Sequence, residues 1–269
     1  MPNSLPMALL PFQPLSRSMI TATSSTCSEL FRPRTTARIG AEPAAGNDRM
    51  AMTLYGAPLS PFVRKVELCL RLKGIACARD PVTPFALPEG YERINPLKRI
   101  PALAVDGRYL ADSAVICRFL EDLYPEPQLI PTDPWLKART GWLEKFADYE
   151  LAPAITATAF RHRVVLRSMG SPYDEPAIAA ALAERAPPLY GYLEEQVDGR
   201  IFLVGDRLGL ADIAVVSQFM NAAFGGESPA AERWPQLARY LGNHLASEPF
   251  AGVFAAHRQM VDKMLARGH

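Results

Sequence analysis

The chain has 269 residues, 49% of them hydrophobic and 21% charged, with a formal net charge of +1. That length and apolar content support a sizeable core in one or two domains. The even charge balance excludes the basic stripe or tail expected of a nucleic-acid binder, so no nucleic-acid partner is expected. No apolar run is long enough to span a bilayer, and no membrane partner is expected.

Four cysteines and four histidines lie scattered, without the spacing of a metal site, and no metal is expected. Cys69 and Cys117 fall on apolar faces of predicted helices, where a reduced thiol behaves as a small hydrophobe. A reducing compartment is the simpler reading, which places the protein in the cytoplasm.

Residues 1–50 differ from the rest. They are rich in Ser, Thr, Pro, Ala and Arg, with five arginines, three acidic residues and no lysine. The composition is loosely like a transit peptide, but the prolines argue against an amphipathic helix. The expectation is a disordered extension, or an over-extended start with initiation at Met50 or Met52.

From Met52 the pattern becomes regular. "MTLY" is a short strand, and Gly56 to Leu59 form a turn. Ser60 then caps a helix with Pro61 at its first position, where a missing N–H costs nothing. Phe62, Val66, Cys69, Leu70 and Lys73 recur at helical spacing until Gly74 ends the helix. "IACARDPV" (75–82) reads as a second strand, and "LPEGYERINP" as a loop with at most a short helix. "IPALAVDGRYLA" places two strand-like segments around Asp106-Gly107, a hairpin signal because both residues tolerate positive φ. Asp112 and Ser113 introduce an amphipathic helix, "AVICRFLEDLY". Strand, helix, strand, hairpin and helix make a small α/β domain over 51–126.

"YPEPQLIPTDP" holds four prolines and reads as a connector, with 127–134 as the link proper. Strand signals then vanish. Asp133 caps a helix with Pro134 in its first turn that runs to about Leu151. Further helices are predicted at 176–197 (interrupted by Pro187-Pro188), 210–224, 235–247 and 250–266, making 135–269 all-helical.

Three stretches, taken together, resemble the cytosolic glutathione transferases with a serine-type site. "LYGAPLSPFVRKVELCLRLKGI" is similar to that family's first strand, active-site turn and first helix. "NPLKRIPAL" resembles the loop carrying a cis-proline, and "LADSAVICRFLEDLYP" the helix with the glutathione-contacting acid–serine pair. "GRIFLVGDRLGLADIAV" and "WPQLARYLGNHLASEPF" resemble helices of the family's second domain. The resemblance covers Met52 to the C-terminus. It implies a thioredoxin-like α/β domain followed by an all-helical one, glutathione as co-substrate, a small hydrophobic electrophile as second substrate, a homodimer and a role in detoxification.

A thiol with a pKa near ~8.5 is mostly protonated at neutral pH, so such an enzyme must favour the thiolate. A hydroxyl aimed at sulfur and the positive end of a helix both do so. The resemblance assigns the hydroxyl to Ser60, which can cap with its oxygen and still donate its proton. Tyr55 is the rival donor, since other branches use a tyrosine near that place; otherwise it packs on the sheet.

The resemblance also places glutathione against Arg99, Ile100 and Pro101, with the Ile100 main chain pairing as an added strand. Asp112 and Ser113 would receive the γ-glutamyl amine and carboxylate. Lys98 stands where glycine is common, Arg99 where lysine is, and Asp112 where Glu or Gln is. Phe146, Tyr149 and Arg161, with Phe160, are candidates for the electrophile pocket. Asp212 is read as structural, with Gly209 in place of the usual Ser or Thr cap. Two other classes stay open: a non-catalytic ligand-binding or protein-interaction module of the same fold, and a glutathione-dependent isomerase or lyase.

Overall fold

The computed structural model describes residues 50–267, so the expectation for the N-terminal extension lies outside the described residues. A mixed four-stranded sheet is built from β1 (Met52–Tyr55), β2 (Ala78–Asp80), β3 (Ala102–Val105) and β4 (Arg108–Ala111). The order is β2-β1-β3-β4, with β2 parallel to β1 and the other pairs antiparallel. Met52 and Leu54 alternate with half-buried Thr53 and Tyr55, the period-two pattern of a strand with one face on the core. The hairpin forms as its sequence dictates, with φ of 47° at Asp106 and 77° at Gly107.

Helix α1 (Pro61–Leu72) ends in a Schellman arrangement: Gly74 has φ 64°, its N–H reaches the Arg71 carbonyl, and the Ile75 N–H reaches Leu70. That use of Ile75 shortens the second strand. The expected strand over 75–82 is only Ala78–Asp80, because Pro81 brings no N–H to extend the ladder. Helix α2 (Ser113–Leu123) closes the α/β unit. The proline-rich link is pinned from behind: Glu121 accepts the Leu129 and Ile130 N–H groups, and buried Lys73 donates to the Tyr124 and Pro127 carbonyls.

Helix α3 (Pro134–Phe146) is capped by Asp133, which accepts from the Leu136 N–H at 2.9 Å. It does not stop near Leu151. A wide-turn helical segment, Ala147–Leu166, continues it past Pro153. Then follow α4 (Glu175–Val197), α5 (Leu210–Phe224), α6 (Pro235–Ala246) and α7 (Phe250–Arg267). Helix α4 is continuous through Pro187 and Pro188 rather than interrupted there. The carbonyls these prolines leave unbonded belong to Ala183 and Glu184, both exposed residues within reach of water.

Helix α5 is buried on nearly every side, and its polar residues Asp212, Ser217, Gln218 and Asn221 are buried with it. It packs on α1, α3, α6 and the wide segment. Asp212 ties its start together: one carboxylate oxygen accepts from the Leu203 N–H (2.8 Å) and Tyr240 hydroxyl (2.7 Å), the other from the Gly209 N–H (3.0 Å). A Cβ at Gly209 would lie 3.1 Å from the Leu129 carbonyl oxygen, which accepts the Leu210 N–H. The link's close passage leaves little room for the Ser or Thr cap expected at that place.

Candidate active site

Strand register brings the separate motifs to one end of the sheet. Tyr55 pairs with Ala102, and Ala102 with Ala111. The Ser60 turn follows Tyr55, Ile100-Pro101 precedes Ala102, and Asp112-Ser113 follows Ala111. Three segments distant in sequence thus flank the same edge. A cavity of about 540 Å³, lined by Met50–Met52, Gly74–Ala78, Lys73 and Tyr124, lies at the opposite end and contains none of these residues.

The turn after β1 depends on Gly56. Its φ is 148°, a glycine conformation, and a Cβ there would fall 2.4 Å from Val63 Cγ2 and 3.3 Å from Ile100 Cβ. This close approach draws the start of α1 against the Ile100 loop. Ser60 is the N-cap, in extended conformation with φ −69° and ψ 127°. Its oxygen accepts from the Val63 N–H at 3.4 Å, beyond the usual 2.7–3.2 Å range. The cap is loose, and the hydroxyl proton is not used by it. Ser60 is half-buried at the positive end of the helix.

The Leu59–Ser60 peptide is held on both sides. Its N–H donates to the Ala57 carbonyl at 3.0 Å, and its oxygen accepts from Asn221 Nδ2 at 3.0 Å.

The Ile100–Pro101 bond is cis. Just before it, the Arg99 carbonyl accepts from the Tyr91 hydroxyl (3.1 Å) and Asn95 Nδ2 (2.8 Å), which leaves the exposed Arg99 side chain unconstrained. Ile100 makes no backbone hydrogen bond among the described residues. Lys98 has φ 53°, a conformation that favours glycine.

Asp112, also at positive φ (74°), caps α2 with one oxygen, Oδ1, which accepts from the Ala114 and Val115 N–H groups at 2.8 and 3.2 Å. Oδ2 is left over. The Ser113 hydroxyl has no hydrogen bond among the described residues. Two of the N–H groups expected to receive an anion are therefore already engaged by Asp112.

Tyr55 lies on the sheet face away from buried Met52 and Leu54. Burial, with Tyr109 and Asp80 nearby, raises its phenol above the ordinary tyrosine value, so it stays protonated.

Sequence reasoning missed what lies beneath the turn. Arg64 and Lys65, on which the sequence carries no expectation, are fully buried between α1 and the helical part. Lys65 Nζ sits 3.0 Å from Glu144 and 2.6 Å from Asp148 on the helix opposite; burial alone would lower its pKa, but these carboxylates turn the shift upward. Arg64 makes no ion pair with a carboxylate among the described residues. Its Nε donates to His257 Nδ1 (3.1 Å), and its Nη1 donates to the Ser217 carbonyl (2.9 Å) and Asn221 Oδ1 (2.8 Å). Burial lowers its pKa to about 9, which still leaves it cationic at neutral pH. The missing signal was position: a helix covered on both sides buries its polar face too.

The electrophile-pocket candidates lie along α3 and the wide-turn segment that continues it, and they differ in exposure. Phe146 is only 7% exposed, packed 4.8 Å from Tyr192 and 6.5 Å from Trp142 between ring centroids. Its ring packs among these aromatic neighbours. Phe160 is buried against Phe224 in the same way. Tyr149 is 62% exposed, with Lys145 over its ring, and Arg161 is exposed.

A family model described as the glutathione S-transferase N-terminal domain matches residues 54–128, and one described as the C-terminal domain matches residues 157–248. Glutathione S-transferase U4 of Arabidopsis thaliana is 30% identical over 202 residues, 71% of this chain and 82% of that protein. A maleylacetoacetate isomerase of Pseudomonas aeruginosa is also 30% identical, over 213 residues, 77% of this chain and 97% of the relative. The crystal structure of a glutathione S-transferase from Rhodospirillum rubrum superposes with a TM-score of 0.69 at 25% identity, covering 75% of this chain and 91% of that one. With both family domains matched in order on this fold, the chain belongs to the glutathione S-transferase family and takes glutathione as its co-substrate.

Proposed function

We propose that Ser60 donates a hydrogen bond from its hydroxyl to the sulfur of bound glutathione and so holds it as the thiolate, the thiol proton being released to solvent. The thiolate then attacks a soft electrophilic carbon of a small hydrophobic substrate, and the leaving group departs with the bond's electron pair. The carrying observation is the loose Ser60 cap, 3.4 Å from the Val63 N–H, at the sheet end shared with Ile100 and Ser113. The Ile100 main chain would pair with the glutathione backbone, and Arg99 would meet the glycine carboxylate. Ser113 would meet the γ-glutamyl carboxylate, and Asp112 Oδ2 the amine. We place this chemistry in a glutathione-binding domain over 51–126, joined by the link at 127–134 to a helical domain that supplies the electrophile side, in a cytoplasmic homodimer active in detoxification.

A second reading has a specific support, the similarity to an isomerase along 97% of its length. There the thiolate would add to a conjugated double bond, permit rotation, and leave again, so glutathione would not be consumed.

The test is glutathione affinity, turnover of an aryl halide and the pKa of bound glutathione, in wild type and Ser60→Ala. The variant is expected to bind glutathione while kcat/KM falls roughly 10²-fold, the scale for losing one donor to a developing anion, and while the thiol pKa rises. Unchanged turnover would sink the role of Ser60 and turn attention to Tyr55→Phe. Isomerisation of maleylacetoacetate at constant glutathione, without aryl transfer, would select the second reading. Failure of the wild type to bind glutathione would leave the non-catalytic module.

A further inference from the structure

We propose that Asn221, from the middle of the helical region, is a positioning residue for the Ser60 hydroxyl, locked in orientation by Arg64; this rests on the Ser60 reading above. The chemistry of the partners fixes the direction of the amide. Arg64 can only donate, so the Asn221 atom 2.8 Å from its Nη1 is the oxygen. The Leu59 carbonyl can only accept, so the atom 3.0 Å from it is the amide nitrogen. Both partners demand the same orientation, and Asn221 is fully buried.

The consequence falls on Ser60. The peptide that joins it to Leu59 is bonded at its N–H to Ala57 and at its oxygen to Asn221. Rotation of that peptide plane changes the backbone angles of Ser60 and swings its Oγ. The oxygen itself is weakly restrained, at 3.4 Å from its capping N–H. What aims the hydroxyl is therefore the peptide plane, and Asn221 holds one side of it.

Arg64 is in turn held from the last helix, through His257 Nδ1, and from α5, through the Ser217 carbonyl. Facing it are Glu67 on its own helix and His257 on α7, which Arg71 also faces, and Phe224 lies beneath both Arg64 and Arg258. None of these except the bonded His257 competes with Asn221 as a hydrogen-bond acceptor for Arg64.

The test uses Asn221→Asp, which keeps the bond to Arg64 but places an oxygen against the Leu59 carbonyl, in a double-mutant cycle with Ser60→Ala. The readouts are the thiolate absorbance of bound glutathione against pH, and kcat/KM. A pKa rise of about half to one unit and a roughly 10-fold loss of kcat/KM are expected in the single variant. On the Ser60→Ala background the same change should have little effect.

If Ser60→Ala raises the thiol pKa but Asn221→Asp does not, this inference fails while the Ser60 reading stands. If Ser60→Ala changes nothing, the Ser60 reading fails first. If the Asn221→Asp shift persists in full without Ser60, the new carboxylate acts by charge and the positioning role is overturned.

Should the variant not fold, the wild type carries its own check. The Asn221 side-chain amide proton bonded to Leu59 should exchange slowly with solvent and shift when glutathione binds. Rapid exchange in the wild type would overturn the inference.

Discussion

Replacing Asp212 should unfold the protein long before it disables the chemistry. The side chain is 1% exposed and accepts three hydrogen bonds, from the N–H groups of Leu203 and Gly209 and from the Tyr240 hydroxyl. Asp212→Ala strands all three donors in the interior, each at about 1–3 kcal/mol, so a loss of roughly 3–9 kcal/mol is expected. Against a typical total of about 5–15 kcal/mol, that is a large fraction. For a fold of this size, about 2–4 °C per kcal/mol puts the melting point roughly 6–36 °C lower.

Asp212→Asn is the sharper variant. Its oxygen keeps Leu203 and Tyr240, but its amide meets the Gly209 N–H donor to donor, for a loss of about 1–3 kcal/mol. The assay is urea unfolding followed by circular dichroism, with kcat/KM measured well below the melting point. A loss under about 1 kcal/mol for Asp212→Ala would refute the hydrogen-bond argument. A large fall in kcat/KM for the folded Asp212→Asn protein would refute the structural assignment.

Two further outcomes follow from the site. Gly56→Ala should cost roughly 2–4 kcal/mol, from overpacking against Val63 and Ile100 together with an unfavourable φ, and should weaken glutathione binding by parting the Ser60 turn from the Ile100 loop. Denaturant midpoints and glutathione titration read both; a neutral result would show that the turn yields. Burial, with Arg64 and Arg71 nearby, depresses the His257 pKa from 6.5 to about 3. The unfolded chain therefore binds the proton more readily than the folded one. Stability from this residue is fully present above about pH 6.5 and is lost progressively as pH falls toward about 3. His257→Gln, which keeps an acceptor for Arg64, should flatten that slope in unfolding curves across the window; an unchanged slope would place the acid sensitivity elsewhere.

What was legible in the sequence was mostly local. Ser60-Pro61 and Asp133-Pro134 each begin a helix because the cap chemistry and the missing proline N–H belong to adjacent residues. Asp106-Gly107 forms the hairpin because two consecutive positive φ values need those residue types. The misses are where tertiary surroundings decide. Pro153 with Ile155, Thr156 and Thr158 looks unlike a helix, yet the wide segment runs through them on the buried side of the fold. Pro187 and Pro188 look like a break but leave unbonded only carbonyls on an exposed face. Nothing local marks Arg64 and Lys65 as buried; that depends on what packs across from them, which no local pattern states.

Buried ions at the junction of the two parts contribute more to orientation than to stability. Apolar residues of similar volume often fill such places with equal or greater stability, while removing one member of a buried pair costs about 3–5 kcal/mol. Apolar surfaces can slide over one another; Lys65 between Glu144 and Asp148, and Arg64 between His257 and Asn221, accept only one arrangement. Both residues sit on α1, whose N-terminus also carries Ser60. The helix whose positive end lies at Ser60 is therefore the same helix that is keyed into the helical region. An α/β unit alone would keep the Ser60 cap but lose the Asn221 bond to Leu59, and with it one of the two restraints on the peptide that aims the hydroxyl. The helical region thus contributes to the orientation of Ser60 itself as well as to any second-substrate surface.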